Sequence, residues 1–328
     1  MRNEELIRKA FLIPLSLIFI IFTVTPVQAD EDGGIKSSTE VELQISSMPE
    51  AKLRLIQSFV FPFLQGSGPL TKDNNIATVL SADITPVSLF GIGEITWTPA
   101  AFFLLSGGGK AGSGWDIPMG RGIGLTVPEI ESVPDPGDPP RKSQFLGNAF
   151  DGLVWSTWGA GTLQFDLGAV IPGDWTHVVF QTRQEFRYMA YTRAGPGILW
   201  ILENDEGANI NGWTYYASYV LGYMMPQSPV LDGIAFMAEL EKPLYKTAGG
   251  ADWGESLGKW IFSGLFNFSI HPRFNVALAI QMRTRRNYGP YNLNNDDYYY
   301  RDLELRKEGG ERPVFFYRAA AILTYKIR

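Results

Sequence analysis

From Phe274 onward every second residue is large and apolar: Phe274, Val276, Leu278, Ile280 and Met282 alternate with Asn275, Ala277, Ala279, Gln281, Arg283 and Arg285. Successive side chains leave a strand on opposite sides, so a period of two marks a strand with one greasy face. The split recurs along the chain. Trp260, Phe262, Phe266, Phe268 and Ile270 oppose Lys259, Ser263, Asn267 and Ser269. Trp213, Tyr215, Ala217, Tyr219, Leu221 and Tyr223 oppose Thr214, Ser218 and Gly222, and Leu153, Trp155, Leu163, Phe165 and Leu167 oppose Ser156, Thr162, Gln164 and Asp166. Val178, Phe180, Phe186 and Tyr188 share one face of a further segment, and Gln181, Arg183, Glu185 and Arg187 share the other with His177. Near the carboxyl end Phe315, Tyr317, Ala319, Ala321, Leu323, Tyr325 and Ile327 oppose Arg318, Thr324, Lys326 and Arg328. The pattern predicts an all-β fold.

Composition narrows the chemistry. Hydrophobic residues make up 45% of the 328 and charged residues 19%, which excludes disorder. The net charge of −6 leaves no basic footprint for nucleic acid. With no cysteine, disulfides, thiolate catalysis, cysteine-ligated zinc and a lipoprotein anchor all fall away, and two histidines, His177 and His271, cannot build a His-rich metal site. No cofactor and no metal is expected.

The amino terminus reads as an export signal. Arg2, Arg8 and Lys9 precede an apolar run from Ala10 to Val24, and Val27-Gln28-Ala29 supplies small residues for cleavage after Ala29. The run is interrupted by Pro14 and falls short of the roughly 20 residues of a spanning helix. Residues 30–50 read as a polar, flexible lead-in, within which Val41 to Ile45 could form a short extra strand, and the barrel domain is expected over 51–328.

Alternation alone also describes a soluble sandwich, so the connections decide. Short ones at Pro172-Gly173-Asp174, Met225 to Pro229 and His271-Pro272-Arg273 carry turn residues, whereas 107–151, 192–211, 243–258 and 289–312 are long and polar. This alternation of short and long resembles the bacterial outer-membrane β-barrel proteins, porins among them, over about Lys52 to Arg328. The resemblance implies a closed antiparallel up-and-down transmembrane barrel with both termini on the periplasmic side. It also implies contact with outer-membrane lipid and a lipopolysaccharide-type surface, and insertion by barrel-assembly machinery. Trp213 and Tyr223 bracket one greasy face at a separation of roughly 24 Å of height in a tilted strand, close to the apolar band of such barrels. Strands are expected near 51–63, 76–97, 99–106, 152–170, 175–191, 212–224, 231–242, 259–270, 274–288 and 313–327, which makes about ten. The apolar parity shifts at Pro86; a bulge there keeps ten, and a true turn leads to twelve, with Arg121–Val127 as the strand that restores an even number.

Candidate catalytic motifs fail on their own terms. Gly107-Gly108-Gly109-Lys110 lacks the first glycine and the final Ser or Thr of a phosphate loop, and is expected to be an outer loop. Omptin-like proteases carry Asp-x-Asp and Asp-x-His pairs at the outer rim, and neither histidine here has Asp two residues before it. Ser269 and His271 share a face, as a membrane-edge hydrolase would need, but His271 sits in a turn before Pro272. Asn292 to Asp297 with Tyr298 to Tyr300 is a polar loop that could hold calcium or sugar.

Once the greasy faces meet lipid, parity sends Arg54, Glu94, Asp166, Arg183, Glu185, Arg187, Glu239, Glu241, Lys259, Arg283, Arg285, Arg318 and Lys326 into the lumen. Charges on the lipid side would cost about 2–4 kcal/mol each near the midplane. Two readings of this interior stand side by side. Arg and Glu pair and fill a narrow barrel, or Arg183, Arg187, Arg283, Arg285 and Arg318 line an aqueous path for small solutes or ions. The expected function is therefore a narrow porin-like channel or a structural and surface barrel without catalysis. The alternative from another class is a soluble exported barrel or sandwich with its greasy faces turned inward around an apolar ligand, and an outer-membrane-edge hydrolase is the third.

Overall fold

A computed structural model describes residues 34–327 apart from 49, 118–121, 129–142, 172, 174–176, 197, 199, 204–208, 226–227, 245–257 and 285–313. The leader, Arg285 and the Asn292 to Tyr300 loop lie outside the described residues. Fifteen strands follow in chain order: β1 (Lys36–Ser46), β2 (Ala51–Pro62), β3 (Asn75–Thr85), β4 (Ser88–Ala100), β5 (Phe103–Gly114), β6 (Ile123–Pro128), β7 (Ser143–Leu146), β8 (Val154–Asp166), β9 (Val178–Tyr191), β10 (Trp200–Leu202), β11 (Gly212–Met224), β12 (Leu231–Pro243), β13 (Lys259–His271), β14 (Phe274–Thr284) and β15 (Val314–Lys326). Twelve of them close a barrel in the order β1-β15-β14-β13-β12-β11-β9-β8-β5-β4-β3-β2, and β10-β6-β7 form a separate three-stranded sheet.

The barrel thus has twelve strands, the alternative to ten. The stretch 76–97 is two strands, because Thr85 pairs with Ser88 around a two-residue turn at Pro86-Val87. The Thr85 hydroxyl bonds the Ser88 hydroxyl at 2.9 Å and accepts the Val87 N–H at 3.2 Å, which fixes a hairpin where parity alone allowed a bulge. The strand that restores even parity is β1, inside the expected flexible lead-in. It closes the ring by pairing Leu43 with Leu323 of β15 and Val41 with Leu55 of β2. The Arg121–Val127 stretch contributes β6 to the small sheet instead. Gly107 to Lys110 lie in β5, not in an outer loop. Gly108 is required there: a Cβ would stand 2.5 Å from the Trp158 ring and 2.6 Å from the Gly93 carbonyl oxygen.

Orientation follows the alternation. On β14 Leu278 and Ile280 are 40% and 53% exposed, while Ala279 and Gln281 between them are 3% and 1%. Leu80, Ile95, Phe186, Leu221 and Phe236 are likewise exposed on the outer wall, and Trp155, Tyr188 and Trp213 form a ring-to-ring chain at 5.4 Å centroid spacings across β8, β9 and β11. An apolar wall of this extent is not compatible with water, and closure leaves no strand edge to pair. The soluble reading, with greasy faces inward, is overturned by this orientation.

Parity breaks near the start of β15. Gln281 pairs with Arg318 but Met282 pairs with Phe316, so a bulge turns Tyr317 inward beside Arg318. Tyr317, expected on the greasy face, is fully buried.

Both described ends of the barrel chain, Lys36 and Lys326, lie at one rim, called here the terminal end. The opposite rim, the loop end, carries the connections 115–153, 192–211, 244–258 and 285–313. It also carries two short turns, 47–50 and 86–87, so β1–β4 contribute no long loop there.

Candidate functional site

The site is the lumen, and its charges fall into three groups set by neighbouring strands. On β9, Glu185 stands between Arg183 and Arg187 on one face because residues two apart share a side. Glu185, 1% exposed, accepts from Arg183 Nη2 at 2.9 Å and from Arg187 Nη2 at 2.6 Å. Arg183 continues to Ser106 Oγ at 2.9 Å on β5 and to Glu94 at 3.3 Å on β4, and Glu94 also takes the Trp158 indole N–H at 2.8 Å. The Arg187 guanidinium lies over the Tyr216 and Trp158 rings, 4.7 and 5.3 Å from their centroids.

On β1–β3, Arg54 grips Asp83 with two bonds of 2.6 and 2.7 Å, and Lys52 stands 3.7 Å from the same carboxylate. Glu42 pairs in register with Arg54 and is fully buried, and neither of its oxygens has a hydrogen-bond partner. Lys110 of β5 sits 3.8 Å over the Phe90 ring.

On β12–β15, Arg318 donates to Gln281 at 2.7 Å and to Glu50 at 2.5 Å, and Gln281 donates on to Ser263 at 2.8 Å. Glu50 lies in the 47–50 turn, where burial pushes its carboxyl above the ordinary range against the pull of Arg318. Lys259 meets Glu241 at 2.9 Å. Glu239 lies on the same face of β12, two residues from Glu241. Arg283 lies over Tyr317 at 4.2 Å and Phe315 at 5.4 Å.

Of the residues expected in the lumen, Arg54, Glu94, Arg183, Glu185, Arg187, Glu239, Glu241, Lys259, Arg283 and Arg318 are placed there. Lys326 is at the terminal rim, in register with Glu40. Asp166 belongs to that rim too: it caps the turn at Gly168 and meets His177 at 3.0 Å, with about a third of each side chain exposed. The expectation missed Glu42, Lys52, Asp83 and Lys110, which have the right parity, and Glu50 and Glu203, which come from connections. Among the described residues of the lumen, the acids Glu42, Glu50, Asp83, Glu94, Glu185, Glu203, Glu239 and Glu241 match in number the cations Lys52, Arg54, Lys110, Arg183, Arg187, Lys259, Arg283 and Arg318. Among the described residues the arginines therefore stand beside as many acids as cations, and Arg285 lies outside them.

The remaining chemical candidates resolve into structure. The Ser269 hydroxyl bonds Asp232 and Asn275, and His271 Nδ1 accepts the Arg273 N–H at 3.2 Å, so the two do not face each other as a pair. Among the described residues no group of three His, Asp or Glu side chains is placed to hold a metal.

No family model matches the sequence, and no curated protein matches it. Solved structures do align. The neighbours are bacterial porins and an outer-membrane protein. The KdgM porin aligns over 89% of this chain and all of its own at 9% identity and a TM-score of 0.38. The NanC porin aligns over 88% of this chain and 98% of its own at 7% identity and a TM-score of 0.42. OmpT, an outer-membrane protein of Vibrio cholerae, covers 92% of this chain and 99% of its own at 6% identity and a TM-score of 0.33.

Proposed function

We propose that this chain is an outer-membrane barrel acting as a narrow, non-catalytic, porin-like path for small ions or solutes. Its loop end faces outward over a lipopolysaccharide-type surface, its wall contacts outer-membrane lipid, and assembly machinery inserts it after the leader is removed. The observation that carries the reading is the inversion of a soluble protein: greasy outside, ion-paired inside, in a ring with no edge. Within that ring, the inner faces of β2–β5 carry the half-buried residues Ser58, Val79, Ser81, Thr96 and Ser106, and a path beside the charges would run along them.

A structural barrel is the second reading, favoured by the dry inner face of β11–β15, where Met237 and Ile322 are 0% and 2% exposed. Fractionation and planar-bilayer recording decide. The protein is expected to stay with outer membrane through alkaline extraction and to give small, weakly ion-selective conductance steps, weak because the lumen charges cancel. Release at alkaline pH overturns the membrane reading, and a folded barrel that never conducts, in any variant, overturns the path.

A further inference from the structure

We propose that β10 and its partner β6 form a lid folded into the loop-end mouth, and that the Glu203 carboxylate latches this lid shut. The inference rests on the porin-like reading and names what closes that path.

The lid lies inside the ring, not above it. Its Trp200, Leu202 and Ile123 pack on Phe90, Val154 and Tyr191 of the wall, and all three of those wall residues point inward by the parity of their strands. The sheet therefore occupies lumen on the side of β4, β8 and β9. The short turns 47–50 and 86–87 leave β1–β4 without a long loop of their own, so this segment reaches toward them from the far side of β9.

Glu203 follows β10 directly. Its N–H bonds the Gly122 carbonyl at 2.7 Å, which ties it to the start of β6, and its carboxylate accepts the Ser88 hydroxyl at the top of β4. One side chain thus joins the lid to the top of β4 in the wall. Glu203 also holds φ at +52°, a left-handed conformation that a residue with a Cβ adopts only when its surroundings impose it. The rest of the lid is held by apolar packing, and the Trp200 indole N–H is buried there with no partner, so opening would return it to water. With that one charged contact removed, only apolar packing would hold the lid.

The chain has no cysteine, which makes the test clean. In planar bilayers the small conductance steps of the wild type should be infrequent, because the lid is shut most of the time. Glu203→Ala and Ser88→Ala should raise the open-to-closed ratio roughly tenfold or more, the scale of one charged hydrogen bond. Glu203→Gln, which keeps a hydrogen-bond acceptor but drops the charge, should fall between. A Ser88→Cys/Glu203→Cys protein should conduct like Glu203→Ala until a short cleavable thiol crosslinker joins the pair, and reductant should reopen it. Heat-dependent gel mobility shows that each variant is folded. Folded Glu203→Ala and Ser88→Ala proteins that match a conducting wild type overturn the latch and leave the porin-like reading standing. Silence from every folded variant, the uncrosslinked cysteine pair included, overturns both.

Discussion

At mid-height the two sides of this barrel are built on opposite principles. The inner face of β11–β15 is an apolar core of Val220, Met237, Leu265, Ala279, Ala320 and Ile322, whereas β4, β5, β8 and β9 present Glu94, Ser106, Trp158, Arg183, Glu185 and Arg187. Each has a dry centre: Leu265 is 3% exposed and Glu185 is 1%. The difference lies in what dryness demands. An apolar lining needs only complementary shape, while a charged lining must satisfy each ion with partners from three or four strands, because an unpaired ion out of water costs several kcal/mol. The apolar arc is therefore a seal that tolerates change, and the charged arc is a network whose members stand or fall together.

The sharpest way to break this contrast is to remove Arg183 and Arg187 together. Glu185 would keep its carboxylate in a dry interior without the two cations that bracket it, and the Arg183→Ala/Arg187→Ala barrel should lose about 3–5 kcal/mol in urea unfolding. A loss under about 1 kcal/mol, the scale of solvated pairs, would mean that the charged arc is wet and the contrast false. The matching change on the apolar arc is Met237→Ala. It should cost about 2–5 kcal/mol, toward the lower end because the vacated space lies beside small neighbours, Ala235 and Ala279, and no ion is exposed by it. If Met237→Ala proves the more damaging of the two, the network account fails.

How much of this was legible follows from which signals are local. Parity is local, so the lipid faces of β8, β9, β11, β13 and β14 could be read residue by residue, and the lumen placement of Arg183, Glu185 and Arg187 with them. Strand number was not, because Pro86-Val87 makes a turn no longer than a bulge, and β1 carries Lys36, Ser38, Glu40, Glu42 and Gln44 on its inner face with only Val41, Leu43 and Ile45 as greasy signal. In β5 the outward positions include Gly107, Gly109 and Ala111, which erase the alternation and imitate a loop. Pairing is less legible still. That Arg183 reaches Glu94 across two strands depends on register, and Glu203 comes from a connection whose course no periodicity encodes. Tyr317 was misplaced for the opposite reason: a bulge in β15 cancelled a parity that looked secure.

The finest test of the contrast uses two glycines next to each other in the wall. Gly108 of β5 pairs in register with Trp158 of β8, and Gly107 pairs with Gly159. Gly108 faces the lumen, where a Cβ would meet the Trp158 ring at 2.5 Å and the Gly93 carbonyl at 2.6 Å, one of them backbone that cannot swing aside. Gly159 faces lipid, and a Cβ there would have nothing within 4 Å. Gly108→Ala should therefore overpack the charged arc and cost about 1–3 kcal/mol, pushing the Trp158 indole off Glu94 and loosening the hold on Arg183. Gly159→Ala should be neutral or stabilise by up to about 1 kcal/mol, since it only removes backbone freedom from the unfolded chain. Urea unfolding of the two proteins side by side gives the sign. Should Gly108→Ala be tolerated as well as Gly159→Ala, the Trp158 ring has slack around it, and the charged arc is a swollen, solvated lining of the path and not a packed network beside it.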